Sequence, residues 1–280
     1  MINRRFKRIT NIYYALIFFF LYVPIGVLIF FSFNKSKSRN LFTGFTLNWY
    51  KELFTNQMVL KALGVTLITA LIASVIATIL GTLASVGIFS LKKVPQKIIM
   101  DITYIPIINP EIVTGVSMLL LFTVMRTILA RFGMTFEMGL GTLIISHITF
   151  NVPYVILSVN PKLRQLDKSL YEAALDLGCT PVQAFFKVII PEIMPGVFTG
   201  FLMSLTYSID DFIISYFTSG TTQNLSIAIY SMTRRKVSPE INALSAIIFV
   251  IVLSILLVMN ITDIQREKKL QRQLQREVRN

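Results

Sequence analysis

The sequence is short of the residues on which soluble chemistry relies. It has one cysteine, Cys179, one histidine, His147, and one tryptophan, Trp49, in 280 residues. A lone cysteine excludes a disulfide framework. One cysteine with one histidine leaves no zinc-type cluster, so no metal site is expected. Charge is scarce too: Asp, Glu, Lys and Arg make up 15% of the chain, where a soluble domain carries about a quarter. Acids are the scarcer sign, 14 against 27 bases. Hydrophobic residues fill the gap at 54%, with 22 Phe and a mean hydropathy of +0.67. Such a chain cannot cover itself with polar surface. An ordinary soluble enzyme, a disordered chain and a nucleic-acid-binding domain are excluded. The net charge of +13 has another explanation, because bases flank membrane spans and orient them.

Long apolar runs with few charges read as membrane helices. Six are expected, at 12–33, 62–90, 98–125, 140–159, 196–218 and 241–262, giving an all-α polytopic membrane protein. The first follows Arg4, Arg5, Lys7 and Arg8 but is too long for a cleaved signal and lacks a small-residue cleavage site. The second and third exceed the roughly 20 residues of a straight crossing, and Pro106 and Pro110 predict a break in the third. An even number of spans puts both ends on one side. That side holds seventeen Lys and Arg, the other ten, which places both termini in the cytoplasm. The organisation is a basic tail at 1–11, a membrane domain at 12–262 and a second basic tail at 263–280.

The inner loop at 160–195 is patterned like folded structure. Asp167 suits the N-cap of a helix through KSLYEAALDL, and Gly178 suits a left-handed stop. Thr180, Pro181 and Gln183 form a capping-box start for a second short helix, which Pro191 is expected to end. The result is a two-helix elbow at the membrane face. Its residues Glu172-Ala173-Ala174, then Gly178, then, after nine intervening residues, Val188-x-Ile190-Pro191, resemble the EAA loop of ABC importer permeases. The resemblance implies the type I permease fold and a coupling helix seated on a separate ATPase. Glu172, Ala173, Ala174, Gly178 and Pro191 carry that likeness, Asp176 joins them in the expected ATPase-coupling surface, and Phe185 and Phe186 are the expected apolar plugs. The chain has no GxxxxGK[ST] phosphate loop. It is read as a transport subunit without catalytic residues, ATP and Mg²⁺ belonging to the partner ATPase.

The acids inside the spans are the second signal. Glu111 lies thirteen residues past the inner start of its span, and Asp210 fourteen past its own. Both fall roughly 20 Å deep. An intramembrane carboxylate costs several kcal/mol unless it meets water, a partner or a ligand. No expected span contains Lys or Arg. Glu111, Asp210 and Asp211 therefore stay protonated, pair with another subunit or await a cation. Successive residues on a helix point about 100° apart, so Asp210 and Asp211 are not expected to face one ligand. Tyr104, Tyr207, Phe212, Tyr216 and Phe217 lie nearby, and carboxylates among aromatic faces suit a polyamine. Asp101, near its span's end, reads as an interfacial anchor, His147 as a satisfied buried histidine and Cys179 as a small buried residue. Asn151 and Pro153 are candidates to kink their helix and line a pathway.

FTLNWYKELF, YIPIINPEIVTGVSMLLLF, YSIDDFIISYF and IYSMTRRKVSPEINALS resemble the C-type permease subunits of bacterial spermidine/putrescine ABC importers across most of 12–262. That family carries acids at the positions of Glu111, Asp210 and Asp211, usually the shorter Asp at the first. The resemblance implies a homologous second permease, two ATPase subunits, an extracytoplasmic substrate-binding protein and a cationic small-molecule cargo. The bilayer is the remaining partner, and no nucleic acid is involved. The competing readings are a proton-coupled secondary transporter, a permease for another small cation or a metal chelate, and a membrane scaffold.

Overall fold

The computed structural model describes residues 4–36, 41–235, 240–251, 253, 254 and 257. The described residues are almost wholly helical, with one isolated bridge pairing Asn34 and Phe45. Five helical stretches among them are long and apolar enough to cross a membrane: Thr10–Ser32, Gln57–Ser90, Glu111–Arg131, Leu140–Gln165 and Pro181–Asp210. These match the first five expected spans. The sixth begins in a short apolar helix, Glu240–Ile251; its far end and the tail at 263–280 lie outside the described residues.

The chain forms two compact units, 58–230 and the two flanking segments 1–57 and 231–280. In the flanking unit, α1 (Arg4–Ser32) leads into a folded connector and α2 (Asn48–Thr55). The Trp49 indole donates to the Asn34 carbonyl at 2.7 Å. Asn34 uses its own amide at both ends, donating to Leu41 O at 2.8 Å and accepting from Thr43 N at 3.0 Å. Phe33 stacks between Phe45 and Tyr50, each ring centroid 5.3 Å away. A buried amide with both ends satisfied fixes the turn.

The larger unit holds α3 (Gln57–Ser90), α4 (Lys93–Ile108), α5 (Glu111–Arg131) and α6 (Leu140–Gln165). Beyond them come α7 (Lys168–Asp176), α8 (Pro181–Ala184), a π-helical turn (Phe185–Ile189), α9 (Ile190–Asp210), α10 (Ile213–Thr218) and the first half of α11 (Leu225–Arg235), whose residues after 230 belong to the flanking unit. α6 is central, packing along α4, α9 and α10, while α5 packs along α10. Small residues permit these approaches. A Cβ on Gly196 would meet Ser158 O at 2.9 Å, and one on Gly81 would meet Val155 Cβ at 2.6 Å. Val155, Val159, Leu163 and Ile193 close the core between α6 and α9.

Two expected spans are interrupted. The third divides at Asn109–Pro110 into α4 and α5, because a proline pushes the residue before it out of helical geometry; Asn109 is extended, with φ −71° and ψ 137°. Pro106 does not break α4. The fifth divides at Asp211–Phe212, where Asp211 turns extended at ψ 124°.

Pro191 does not end the second elbow helix. α8 runs through the π turn into α9 as one stretch, Pro181–Asp210. Proline lacks an N–H and crowds the carbonyl four residues back. The wider turn immediately before it, in which Ile190 N donates to Phe185 O five residues back, lets the helix continue. The connector between the long helices thus contains one complete short helix, α7, followed by the start of the next.

Candidate translocation site

Both interruptions open on one cavity of about 320 Å³. Inside a bilayer, irregular backbone survives only where protein buries it or a watery cavity meets it. Pro106 and Glu111 from the α4–α5 break, with Thr114, line one side. Asp210, Asp211 and Phe212 from the α9–α10 break line another, with Ile213 and Ile214. Phe150 and Tyr154 of α6 and Tyr207 of α9 complete the wall. The Tyr154 and Tyr207 rings lie 4.5 Å apart, tilted by 36°.

The three acids line this one cavity, yet their surroundings differ. Glu111 and Asp210 are exposed, and among the described residues no cation pairs with either. Glu111 stands in the first turn of α5, where the amide dipoles favour a negative charge. Asp211 is buried at 8% exposure. Its carboxylate accepts from Ser215 N and Ser215 Oγ, both at 2.7 Å, and from Ile214 N at 3.3 Å. His147 Nε2 is 3.5 Å from the same carboxylate. Asp211 therefore has a cation-capable partner at its own depth, one that a count of Lys and Arg in the spans does not reveal.

The other candidates divide. Tyr207 and Phe212 line the cavity; Tyr104 is 42% exposed and does not. Tyr216 and Phe217 form an edge-to-face pair outside the lining set. Asn151 is fully buried in α6, both amide ends without a hydrogen-bond partner among the described residues, and is not part of the lining. Pro153 is buried beside it within an unbroken α6. Asp101 is exposed and Cys179 half-buried. Phe150, Tyr154 and Thr114 were not singled out from the sequence. Tyr154 follows His147 by seven residues, two helical turns, so the stripe through His147 carried the signal.

The second candidate region is α7 and the turn after it. Asp167 caps α7 by accepting from Ser169 N at 3.0 Å. That hydrogen bond holds its carboxyl below the usual range. The cap is therefore present at neutral pH and is lost only as acidification passes the lowered value. Gly178, at φ +86°, ends the helix. Cys179 N donates to Ala174 O at 3.0 Å and Gly178 N to Leu175 O at 2.9 Å, the pairing of a Schellman stop. Thr180 and Gln183 exchange the expected capping-box bonds, 3.3 and 3.0 Å. Glu172, Ala173 and Asp176 are exposed and Ala174 is buried. Leu177, at 86% exposure, Val182 and Phe186 stand out as apolar residues in the open. Phe185 is half-buried with its ring edge-on to Phe186.

A bundle with broken helices facing an acidic cavity, and a capped elbow on one connector, defines a membrane transport subunit. Residues 74–269 match the family of binding-protein-dependent transport system inner membrane components, and the chain belongs to that family. The putrescine transport system permease protein PotI of Escherichia coli K12 is 38% identical over 234 residues, 82% of each chain. The spermidine/putrescine transport system permease protein PotC of the same strain is 34% identical over 253 residues, 90% of this chain and 92% of that one. PotC of Haemophilus influenzae is 33% identical over 248 residues, 88% and 93%. Among solved structures, a bacterial ABC transporter that imports alginate superposes with a TM-score of 0.69 at 17% identity, covering 92% of this chain and 96% of that one. The fold is that of an ABC importer permease. The chain is a multi-pass membrane transport component and not an enzyme.

Proposed function

We propose that this chain conducts polyamines, as one of two permease subunits in an ATP-driven importer. The supporting observation is the cavity between the helix breaks, where Glu111 and Asp210, which pair with no cation among the described residues, share the lining with aromatic rings. An alkyl diamine fits that chemistry: its ammonium groups meet the acids and its methylenes lie on Tyr154 and Tyr207. The relatives named for putrescine and spermidine/putrescine transport support the same cargo. A homologous permease completes the pathway, and an extracytoplasmic binding protein delivers the cargo. Two ATPase subunits, holding ATP and Mg²⁺, engage the α7 elbow through Glu172, Asp176 and the apolar residues around Gly178. This scheme puts the elbow and both termini in the cytoplasm.

Uptake by the reconstituted complex tests the cargo. Each lost charge-assisted contact is worth about 1.5–3 kcal/mol, so Glu111→Gln and Asp210→Asn should each raise the KM for putrescine by roughly tenfold or more. Unchanged KM in both would reject the reading.

A further inference from the structure

His147 touches both sides of the α9–α10 break. Its Nδ1 lies 2.5 Å from Ser208 Oγ, on the last turn of α9. Its Nε2 lies 2.9 Å from Ser215 Oγ on α10 and 3.5 Å from Asp211 Oδ2. The proton inventory of Ser215 fixes the ring's role. Its hydroxyl hydrogen goes to Asp211 Oδ2, and its lone pairs accept from the Asn224 amide at 2.8 Å and from His147. Nε2 is therefore the donor, an assignment made from the network. Asn224 also donates to the Asp211 carbonyl at 3.3 Å, and Ser226 Oγ to the Asp210 carbonyl at 3.4 Å. The exposed backbone ends of the break are thus served by side chains.

His147, Ser208, Ser215 and Asn224 are all buried, whereas Asp210 is exposed on the cavity. A buried network with its donors and acceptors matched holds one geometry. We propose that His147 is a positioning residue: by clasping Ser208 on one side and Ser215 with Asp211 on the other, it fixes the break so that Asp210 offers its exposed carboxylate to the cargo, while the Asp211 carboxylate, buried in the same wall, is held by α10. Of the two adjacent acids, one meets cargo and the other is the anchor of the turn. The cargo part rests on the function proposed above; the placement of the two acids does not.

Two measurements test it. The first needs no cargo. In membranes containing the full chain with Cys179→Ser, a cationic methanethiosulfonate reagent should label Asp210→Cys at least tenfold faster than Asp211→Cys. Equal rates would overturn the placement. The second is a double-mutant cycle on putrescine uptake by the reconstituted complex, and it decides the matter if Asp211→Cys does not accumulate. His147→Ala should raise KM several-fold in the native background and add nothing on Asp210→Asn. His147→Gln, which keeps a donor and an acceptor, should restore most of the loss. A His147→Ala that lowers only the maximal rate, or multiplies fully with Asp210→Asn, marks a general stability role and overturns the positioning claim. If the native complex moves no putrescine, the cargo reading fails and the labelling rates still judge the placement.

Discussion

Asp210 and Asp211 are neighbours with different tasks, and the backbone separates them. Had the helix continued, they would have pointed about 100° apart on one rod. Instead the chain turns extended at Asp211, which closes its carboxylate onto the start of α10 and buries it in the cavity wall, while that of Asp210 stays exposed. The sequence reveals the depth of these acids, because a carboxylate in an apolar run stands out. It does not reveal that His147 serves Asp211, because that contact joins residues 147 and 211 across two helices. Tyr154 and Tyr207 show the same division. Tyr207 stands out beside Asp210 in the sequence, but Tyr154 does not, and its meaning comes from a ring pair 4.5 Å apart on the cavity wall. A cation over an aromatic face is worth about 0.5–2 kcal/mol. Tyr154→Ala and Tyr207→Ala should therefore raise the KM for putrescine about two- to thirtyfold, and the Phe variants much less, as read by uptake in proteoliposomes.

Among the elements, α7 was legible almost residue for residue. Its start, stop and successor each carry a local chemical signature: Asp167, Gly178, and Thr180 with Gln183. Capping depends on neighbours along the chain, which a sequence displays directly. Gly178 offers the cleanest test. Its φ of +86° costs a residue with a Cβ about 1–2 kcal/mol, although nothing lies within 4 Å of where that Cβ would stand. Gly178→Ala should thus disturb the turn without any clash. The expected result is normal membrane insertion with loss of cargo-stimulated ATP hydrolysis in the reconstituted complex. The break at Pro110 was expected from its proline, whereas the α9–α10 break at Asp211–Phe212 contains no proline and left no such mark in the sequence. Pro110 breaks a helix and Pro106 and Pro191 do not. At Pro191 the π turn just before the ring lets the helix continue, a feature that only the fold displays.

For the molecule as a whole, the charge count acquires a spatial meaning. A chain of net charge +13 lines its described cavity with three carboxylates and no Lys or Arg. A cation entering it leaves a basic exterior for an acidic interior, so uptake should be inhibited competitively by other small linear diamines and little by neutral or anionic solutes of similar length. Competition assays against labelled putrescine read this directly. Equal inhibition by a neutral diol would count against an electrostatic filter.

The π turn at Phe185–Ile189 has a consequence for rotation. It wedges one additional residue into an otherwise α-helical rod. Each residue turns an α-helix by about 100° and advances it by about 1.5 Å. That one residue therefore sets the azimuth of α7 and the start of α8 relative to Gly196 and Gly200, which lock α9 against α6. Removing it, for example by deleting Lys187, should leave the span apolar and insertable but swing the elbow through more than a quarter of a circle. Such a protein should reach the membrane in normal amount and lose ATP-driven uptake if the elbow docks an ATPase as proposed, because its surface would face the wrong way.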